Sequence, residues 1–347
     1  MCVAACWAVG MAASPALAHG ANIGTESGGL GQMLIIVISS ITLFSLFLVF
    51  THPRKGWTVL VTGGGGYVGS VLVPKLFGRG HRVTVLDLFP RGDDGLKSIQ
   101  GYADLKHIKG DFGDRQTLEE ALRGCDAVLH LACLSNGSRP DSDAFPSLVR
   151  AARKAGVKRF LHTSSFCVDG FEDGPESVKA PPLTEHSRHE KYCEKVLAEE
   201  RAPGFVTCTV RPAVICGCAP AQRLDPIVNA LTHDAVNKGR IRIVGGGQKR
   251  PTIHIDDITD LYLLLLDQPD ARIDGKTFNA GCENLTLLNI AEIVKKVVGD
   301  DVSIEVGPAE DLRSYHLSSD GMRRELAFEP RRTTEDAVRD LVAAFRN

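Results

Sequence analysis

The sequence is poor in aromatic residues, 6% of 347, and has no excess of charge of either sign: 40 Lys and Arg stand against 42 Asp and Glu. Without a basic surplus the chain has no general means of neutralising nucleic-acid phosphates, so a nucleic-acid partner is not expected. It also lacks any Cys-x-x-Cys pair: the ten cysteines are scattered, and the one tight pair is Cys216-Gly217-Cys218. That distribution argues against a disulfide framework and against a zinc framework, and the expected reading is reduced core thiols with no metal site. No internal repeat or low-complexity tract follows Arg54. The apolar fraction, 44%, is too high for a disordered chain of such low net charge.

Charge is also missing from one end. Before Arg54 the only ionised side chain is Glu26. Within that head, Met33 to Thr51 is an uncharged run of 19 residues, about long enough as a helix to cross a hydrocarbon core. Arg54 and Lys55 follow it and nothing basic precedes it, so the expectation is a transmembrane helix with the body on the cytoplasmic side. Residues 1–18 end in Ala16-Leu17-Ala18 and read either as a signal peptide without a basic n-region or as a first membrane segment. From Gly56 onward 38 basic and 41 acidic residues remain, an ordinary water-soluble composition.

The body opens on Thr58-Val59-Leu60-Val61-Thr62, a short apolar, β-branched run suited to a strand buried on both faces. Gly63-Gly64-Gly65-Gly66-Tyr67-Val68-Gly69-Ser70 follows, then an apolar helical pattern from Val71 to Arg79. Next comes Arg82-Val83-Thr84-Val85-Leu86-Asp87, a second strand pattern ending in an acid. Strand, glycine turn, helix, strand and acid within about thirty residues make a dinucleotide-binding unit. Gly63 permits the tight turn, Gly66 lets backbone approach a pyrophosphate, and Gly69 lets the helix lie close to the sheet. The helix start supplies free N–H groups and a positive dipole end. Asp87 can accept both ribose hydroxyls, which predicts NAD rather than NADP.

The spacing Thr62-Gly63-x-x-Gly66-x-x-Gly69 resembles the signature of the extended short-chain dehydrogenase/reductases, the nucleotide-sugar epimerase/dehydratase group. Other segments resemble that family in the same order. They are Gly110-Asp111-Phe112, Asp126 to Cys133, Arg159 to Ser165, Arg211-Pro212-Ala213-Val214-Ile215, Arg250 to Asp257, Arg313-Ser314-Tyr315 and Leu326 to Pro330. The resemblance implies an α/β fold, a doubly wound parallel sheet of Rossmann type over residues 57–215. A smaller substrate-binding lobe, with some return to the sheet, would occupy residues 216–347. It implies NAD contacts from Gly63, Gly66, Tyr67, Val68, Gly69, Asp87, Asp111, Phe112, Leu131, Ala132, Cys133 and Pro212. Dimerisation through a two-helix face is usual in the family, so a homodimer is a possible assembly.

In that family a Tyr removes a proton from a sugar hydroxyl, a Lys lowers the Tyr pKa and binds the nicotinamide ribose, and a Ser bonds the same oxygen. Ser165 takes the Ser position. The Tyr-x-x-x-Lys pair is less regular here, and two registers are open. Tyr192 and Lys195, at i and i+3, still share a helical face, and they are the favoured catalytic pair; the other register puts Lys191 at the Lys position and Ser187 at the Tyr position. Arg250 suits the diphosphate of a nucleotide sugar. Phe166 and Cys167 stand where dehydratases carry an acid pair, which disfavours dehydration. Cys167 sits where some GDP-sugar epimerases carry an acid/base thiol; a neighbouring cation would make it a thiolate, but the favoured reading is a buried, inert cysteine. The expected activity is NAD-dependent epimerisation or oxidoreduction of a nucleotide-activated sugar. The alternatives are a 3-hydroxysteroid or lipid-type dehydrogenase, or a membrane-tethered NAD-binding subunit without catalysis.

Overall fold

The computed structural model describes residues 56–90, 92–132, 143–169, 184–308 and 314–346. The head, with residues 1–18 and Met33 to Thr51, lies outside the described residues, as do Cys133 and Arg313. No helix among the described residues is long and apolar enough to cross a membrane.

The principal sheet has seven strands. In chain order these are β1 (Thr58–Thr62), β2 (Arg82–Asp87), β3 (Leu105–Lys109), β4 (Ala127–His130), β5 (Arg159–Thr163), β6 (Val206–Pro212) and, returning late, β10 (Lys276–Ala280). Their spatial order is β10-β6-β5-β4-β1-β2-β3 and every pairing is parallel. The apolar runs explain this burial. Val59 and Val61 face one core layer, Leu60 faces the other, and all three are inaccessible to solvent. Strands buried on both faces need cover on both, and the crossover helices supply it. Helix α1 (Tyr67–Gly78) lies on one side, while α2 (Arg115–Ala121), α3 (Ala144–Lys154) and α4 (Glu185–Glu199) contribute to the other.

The chain order reverses about β1, which has β2 on one side and β4 on the other. In open parallel sheets this switch point, at the carboxyl ends of the strands, leaves the crevice in which ligands bind. The segments that follow β1, β2, β4 and β5 therefore converge on one edge.

Beyond β6 the chain builds smaller sheets. Strands β7 (Val214–Cys216), β9 (Lys249–His254) and β11 (Glu283–Thr286) form one, and β8 (Arg240–Val244) with β12 (Ser303–Gly307) forms another. Helices α5 (Ile227–Lys238), α8 (Leu287–Val298) and α10 (Thr334–Arg346) pack around them in a separate apolar core containing Val228, Ile241, Ile290 and Leu341. The long helix α6 (Ile255–Asp267) instead joins the principal core through Ile258, Leu261 and Tyr262. Two short helices, α7 (Asp270–Ile273) and α9 (Asp320–Leu326), flank β10. Asp257, in α6, is 2% exposed, and Arg332 Nη1 reaches it at 2.7 Å while the Arg331 and Arg332 N–H groups donate to it. That grip ties the C-terminal segment to the principal core.

Candidate active site

The glycine turn is built for close approach. Gly63 has φ +75°, and a Cβ there would lie 2.7 Å from the Ala132 nitrogen. A Cβ on Gly69 would lie 2.4 Å from the Gly64 carbonyl oxygen. Turn and helix thus pack too tightly for any side chain at these two positions. The Gly63 N–H donates to Leu86 O at 2.9 Å, and the Leu131 N–H donates to Thr62 O at 3.0 Å, which draws the ends of β1, β2 and β4 together. Asp87 accepts from the Gly65 N–H at 2.9 Å and the Phe89 N–H at 2.7 Å, so its carboxylate is held against the turn. A phosphate cradle no Cβ can fill, with an oriented acid beside it, fits NAD.

The remaining cofactor positions divide. The Tyr67 phenol is buried, donates to Gly217 O at 2.6 Å and accepts from Asn229, and burial pushes its pKa up. Its side chain therefore fastens α1 to the segment after β7, and only the backbone of Tyr67 and Val68 is placed to meet a phosphate. Asp111 is exposed and accepts from the Gly113 N–H, and the Phe112 ring meets His130 edge-on with centroids 5.2 Å apart. Leu131 and Ala132 are half-buried at the end of β4, and Pro212 is buried as the last residue of β6.

Ser165 lies just beyond β5. Its Oγ is 3.0 Å from Cys167 Sγ, in the 3-10 turn Phe166–Asp169. Burial raises the Cys167 pKa, and Glu190 adds to the rise against the Ser165 hydrogen bond, which favours the buried thiol over a thiolate. The Phe166 ring packs edge-on against Tyr315 at 5.2 Å, and the Arg250 guanidinium lies 5.4 Å above that same Tyr315 ring. Phe166 and Tyr315 thus bridge the carboxyl edge of the principal sheet and β9 of the smaller lobe, linking Ser165 to Arg250. Tyr315 is the residue that sequence reasoning placed in a motif without giving it a part.

Helix α4 departs most from expectation. Thr184 and Ser187 form a capping box at its start, which makes Ser187 a helix cap. Glu194 and Arg211 are joined by two hydrogen bonds, 2.7 and 2.6 Å, and the Ser164 hydroxyl donates to the same carboxylate at 2.6 Å. With Glu190, Cys193, Glu194 and Leu197 turned inward, the residues about half a turn away face out. Tyr192 is 40% exposed, and Lys191 and Lys195 are exposed as well, Lys195 only 3.7 Å from Glu199. Tyr192 and Lys195 do share a face, but it is the solvent face, and the structure does not bring them to Ser165. Lys191 is no better placed.

The family's i, i+4 spacing falls on His186 and Glu190: Glu190 is buried, and His186, with a side-chain exposure of 44%, stands one turn before it on the same helical face. Glu190 Oε1 lies 3.8 Å from His186 Nδ1, and Glu190 Oε2 lies 3.3 Å from His162 Nε2 on β5. His162 stacks on His130, itself bonded through Nδ1 to Thr62 Oγ1 at 2.7 Å. Burial, then the charges of His162 and His189, hold the His130 pKa well below the ordinary imidazole value. The sequence signal for this group was the i, i+4 pair itself with a histidine three residues before Ser165. Sequence reasoning missed it by looking for a phenol. It also expected no metal cluster, yet His162, Glu190 and Cys193 come within 4.8 Å of one another through their ligand atoms. All seven described cysteines are free thiols.

A family model described as "NAD dependent epimerase/dehydratase family" matches residues 59–281. A ketoreductase acting on 4-hydroxy-2-methyl-3-oxo-4-farnesyl-3,4-dihydroquinoline-1-oxide, from Stigmatella aurantiaca, is 28% identical over 69% of this chain and 75% of its own length. The UDP-glucose 4-epimerase of Lactobacillus helveticus is 28% identical over 81% of this chain and 94% of its own. Among solved structures, a dTDP-glucose 4,6-dehydratase from Streptomyces venezuelae, with NAD bound, superposes with a TM-score of 0.73. It is 24% identical and covers 83% of this chain and 97% of that one; at that identity the likeness shows the fold.

Proposed function

Because this chain belongs to the NAD-dependent epimerase/dehydratase family, we propose that it oxidises, reduces or epimerises a carbinol centre of a nucleotide-activated sugar. One observation carries the sugar-nucleotide reading: Arg250 over Tyr315, and Tyr315 against Phe166, the residue after Ser165. A guanidinium there can take paired phosphate oxygens while the sugar reaches Ser165. NAD, when bound, supplies the hydride acceptor or donor.

The chain's own groups do the rest. Ser165 Oγ holds the reacting oxygen by a hydrogen bond. His186 takes or returns its proton, with Glu190 Oε1 3.8 Å from its Nδ1 to orient the ring. This assignment replaces Tyr192 and Lys195, which lie on a different face of α4 from Glu190 and His186. Neighbours Phe166 and Cys167, a ring and a protonated thiol, offer no carboxylate pair for elimination of water, which supports epimerisation or simple oxidoreduction over dehydration.

The test is a turnover screen with NAD over UDP-, GDP- and dTDP-sugars and a panel of 3-hydroxysteroids and lipid alcohols. Turnover of a nucleotide sugar whose KM rises tenfold or more in Arg250→Ala, with little change in kcat, is the expected result. Turnover confined to steroid or lipid alcohols, or NAD binding with no hydride transfer, would refute it. The latter outcome is the second reading, an NAD-binding subunit without catalysis, which the outward Tyr192 and Lys195 favour. Either protein would be held at a membrane by Met33 to Thr51 with its body on the cytoplasmic side, a proposal supported by the uncharged run and the Arg54-Lys55 pair that ends it. Release of the full chain from membranes by alkaline wash would count against that anchor.

A further inference from the structure

His162, Glu190 and Cys193 are 1%, 4% and 1% exposed. Neither ring nitrogen of His162 has a hydrogen-bond partner, and neither does Glu190 Oε2, although all three atoms are sealed from solvent. Such groups are costly to bury unpaired, and a carboxylate most of all. His162 Nε2 and Glu190 Oε2 stand 3.3 Å apart without a hydrogen bond between them. That spacing equals the nitrogen–oxygen edge, about 3.3 Å, of a tetrahedron with zinc–ligand bonds of about 2.0–2.1 Å. Cys193 is one helical turn from Glu190, and its Sγ completes a set of three ligand atoms within 4.8 Å of one another. His189 Nε2 lies 3.3 Å from that sulfur, within hydrogen-bond reach of it.

We propose that His162, Glu190 and Cys193 bind a divalent transition metal, zinc being the best match to one nitrogen, one oxygen and one sulfur donor. A carboxylate and a thiolate together carry two negative charges, which the cation cancels, so the buried set becomes neutral. On binding, the thiol proton is released to solvent and the metal takes the sulfur lone pair. A fourth position is left to water or another outside ligand. The site does not depend on the substrate reading, since Glu190 presents Oε2 to the metal and Oε1 to His186.

The full-length protein, loaded with zinc and dialysed, is expected to keep one zinc per chain by mass spectrometry. Glu190→Gln and Cys193→Ser, each shown to fold by retained NAD binding, are expected to keep less than a tenth of that. Crystals of the unaltered protein give a second measurement that needs no variant: an anomalous peak at the zinc edge between His162, Glu190 and Cys193. No stoichiometric zinc, undiminished zinc in both variants, or a peak elsewhere alone would overturn the proposal. None of these measurements reads turnover, so the metal site and the activity fail or stand separately.

Discussion

Glu194 and Arg211 meet as a two-point clamp, Oε1 on Nε at 2.7 Å and Oε2 on Nη2 at 2.6 Å, at side-chain exposures of only 14% and 16%. One partner comes from α4 and the other from β6, so the pair fixes the rotation of the helix against the sheet. Glu194→Ala would take both of these hydrogen bonds from the half-buried guanidinium. The expected cost is about 3 kcal/mol of unfolding free energy, read by denaturant titration, and Arg211→Lys, which cannot reproduce the two-point geometry, should also destabilise. A change below about 0.5 kcal/mol in both variants would mean that the clamp does not hold α4.

The same rotation separates two sets of residues by their effect on turnover. Tyr192→Phe, on the solvent face, is expected to leave NAD-dependent turnover within about twofold of the unaltered protein. His186→Phe, on the helical face it shares with Glu190, is expected to lower kcat by about a hundredfold or more, the usual worth of a positioned acid or base, while NAD binding persists. The opposite pattern would restore the phenol to the catalytic place and remove the imidazole from it.

Gly69 allows α1 to pass the Gly64 backbone with no room for a methyl group, since a Cβ would come within 2.4–2.6 Å of three Gly64 atoms. Gly69→Ala must therefore push the turn and helix apart. A loss of about 1–3 kcal/mol in stability is expected from overpacking, together with NAD affinity at least tenfold weaker because the phosphate-facing N–H groups move. Calorimetric titration with NAD checks the second effect, and unchanged affinity would place the diphosphate away from this turn.

His81 links stability to pH. Its Nδ1 accepts the Trp57 N–H at 3.0 Å, and burial lowers its pKa from the ordinary 6.5, with Asp267 opposing and Arg79 assisting. The unfolded chain then binds more protons than the folded one as soon as the pH drops below about 6.5. This contribution is fully present above that value and is lost as pH falls towards the lowered folded-state value. Melting temperature should decline from pH 7 to pH 5. In His81→Asn, whose amide oxygen can take over the Nδ1 bond without titrating, the decline should be shallower; an identical slope would reject His81 as a source.

Some of the molecule was legible because its causes are local. Val59, Leu60 and Val61 announce a strand buried on both faces, and Gly63 and Gly69 announce a turn that only glycine can make. Asp87 at the end of the next strand completes a unit of thirty contiguous residues. Ser165 could be placed because a strand exit lies where its strand ends. Which way α4 faces could not be read in the same manner. Its amphipathic pattern is weak, with Lys191, Tyr192 and Lys195 between inward polar residues, so periodicity alone allowed a face carrying the phenol.

What the amino-acid order settled by itself was the parallel sheet's first βαβ unit and its cofactor, since propensity, turn chemistry and spacing all act within one short stretch. What the tertiary structure alone decided was the company each polar group keeps. The Glu194–Arg211 clamp spans 17 positions, and His162 meets Glu190 across 28. Desolvation and charge pairing between such distant residues exist only after packing, and that packing turned Tyr192 to solvent and sealed a histidine, a carboxylate and a thiol together.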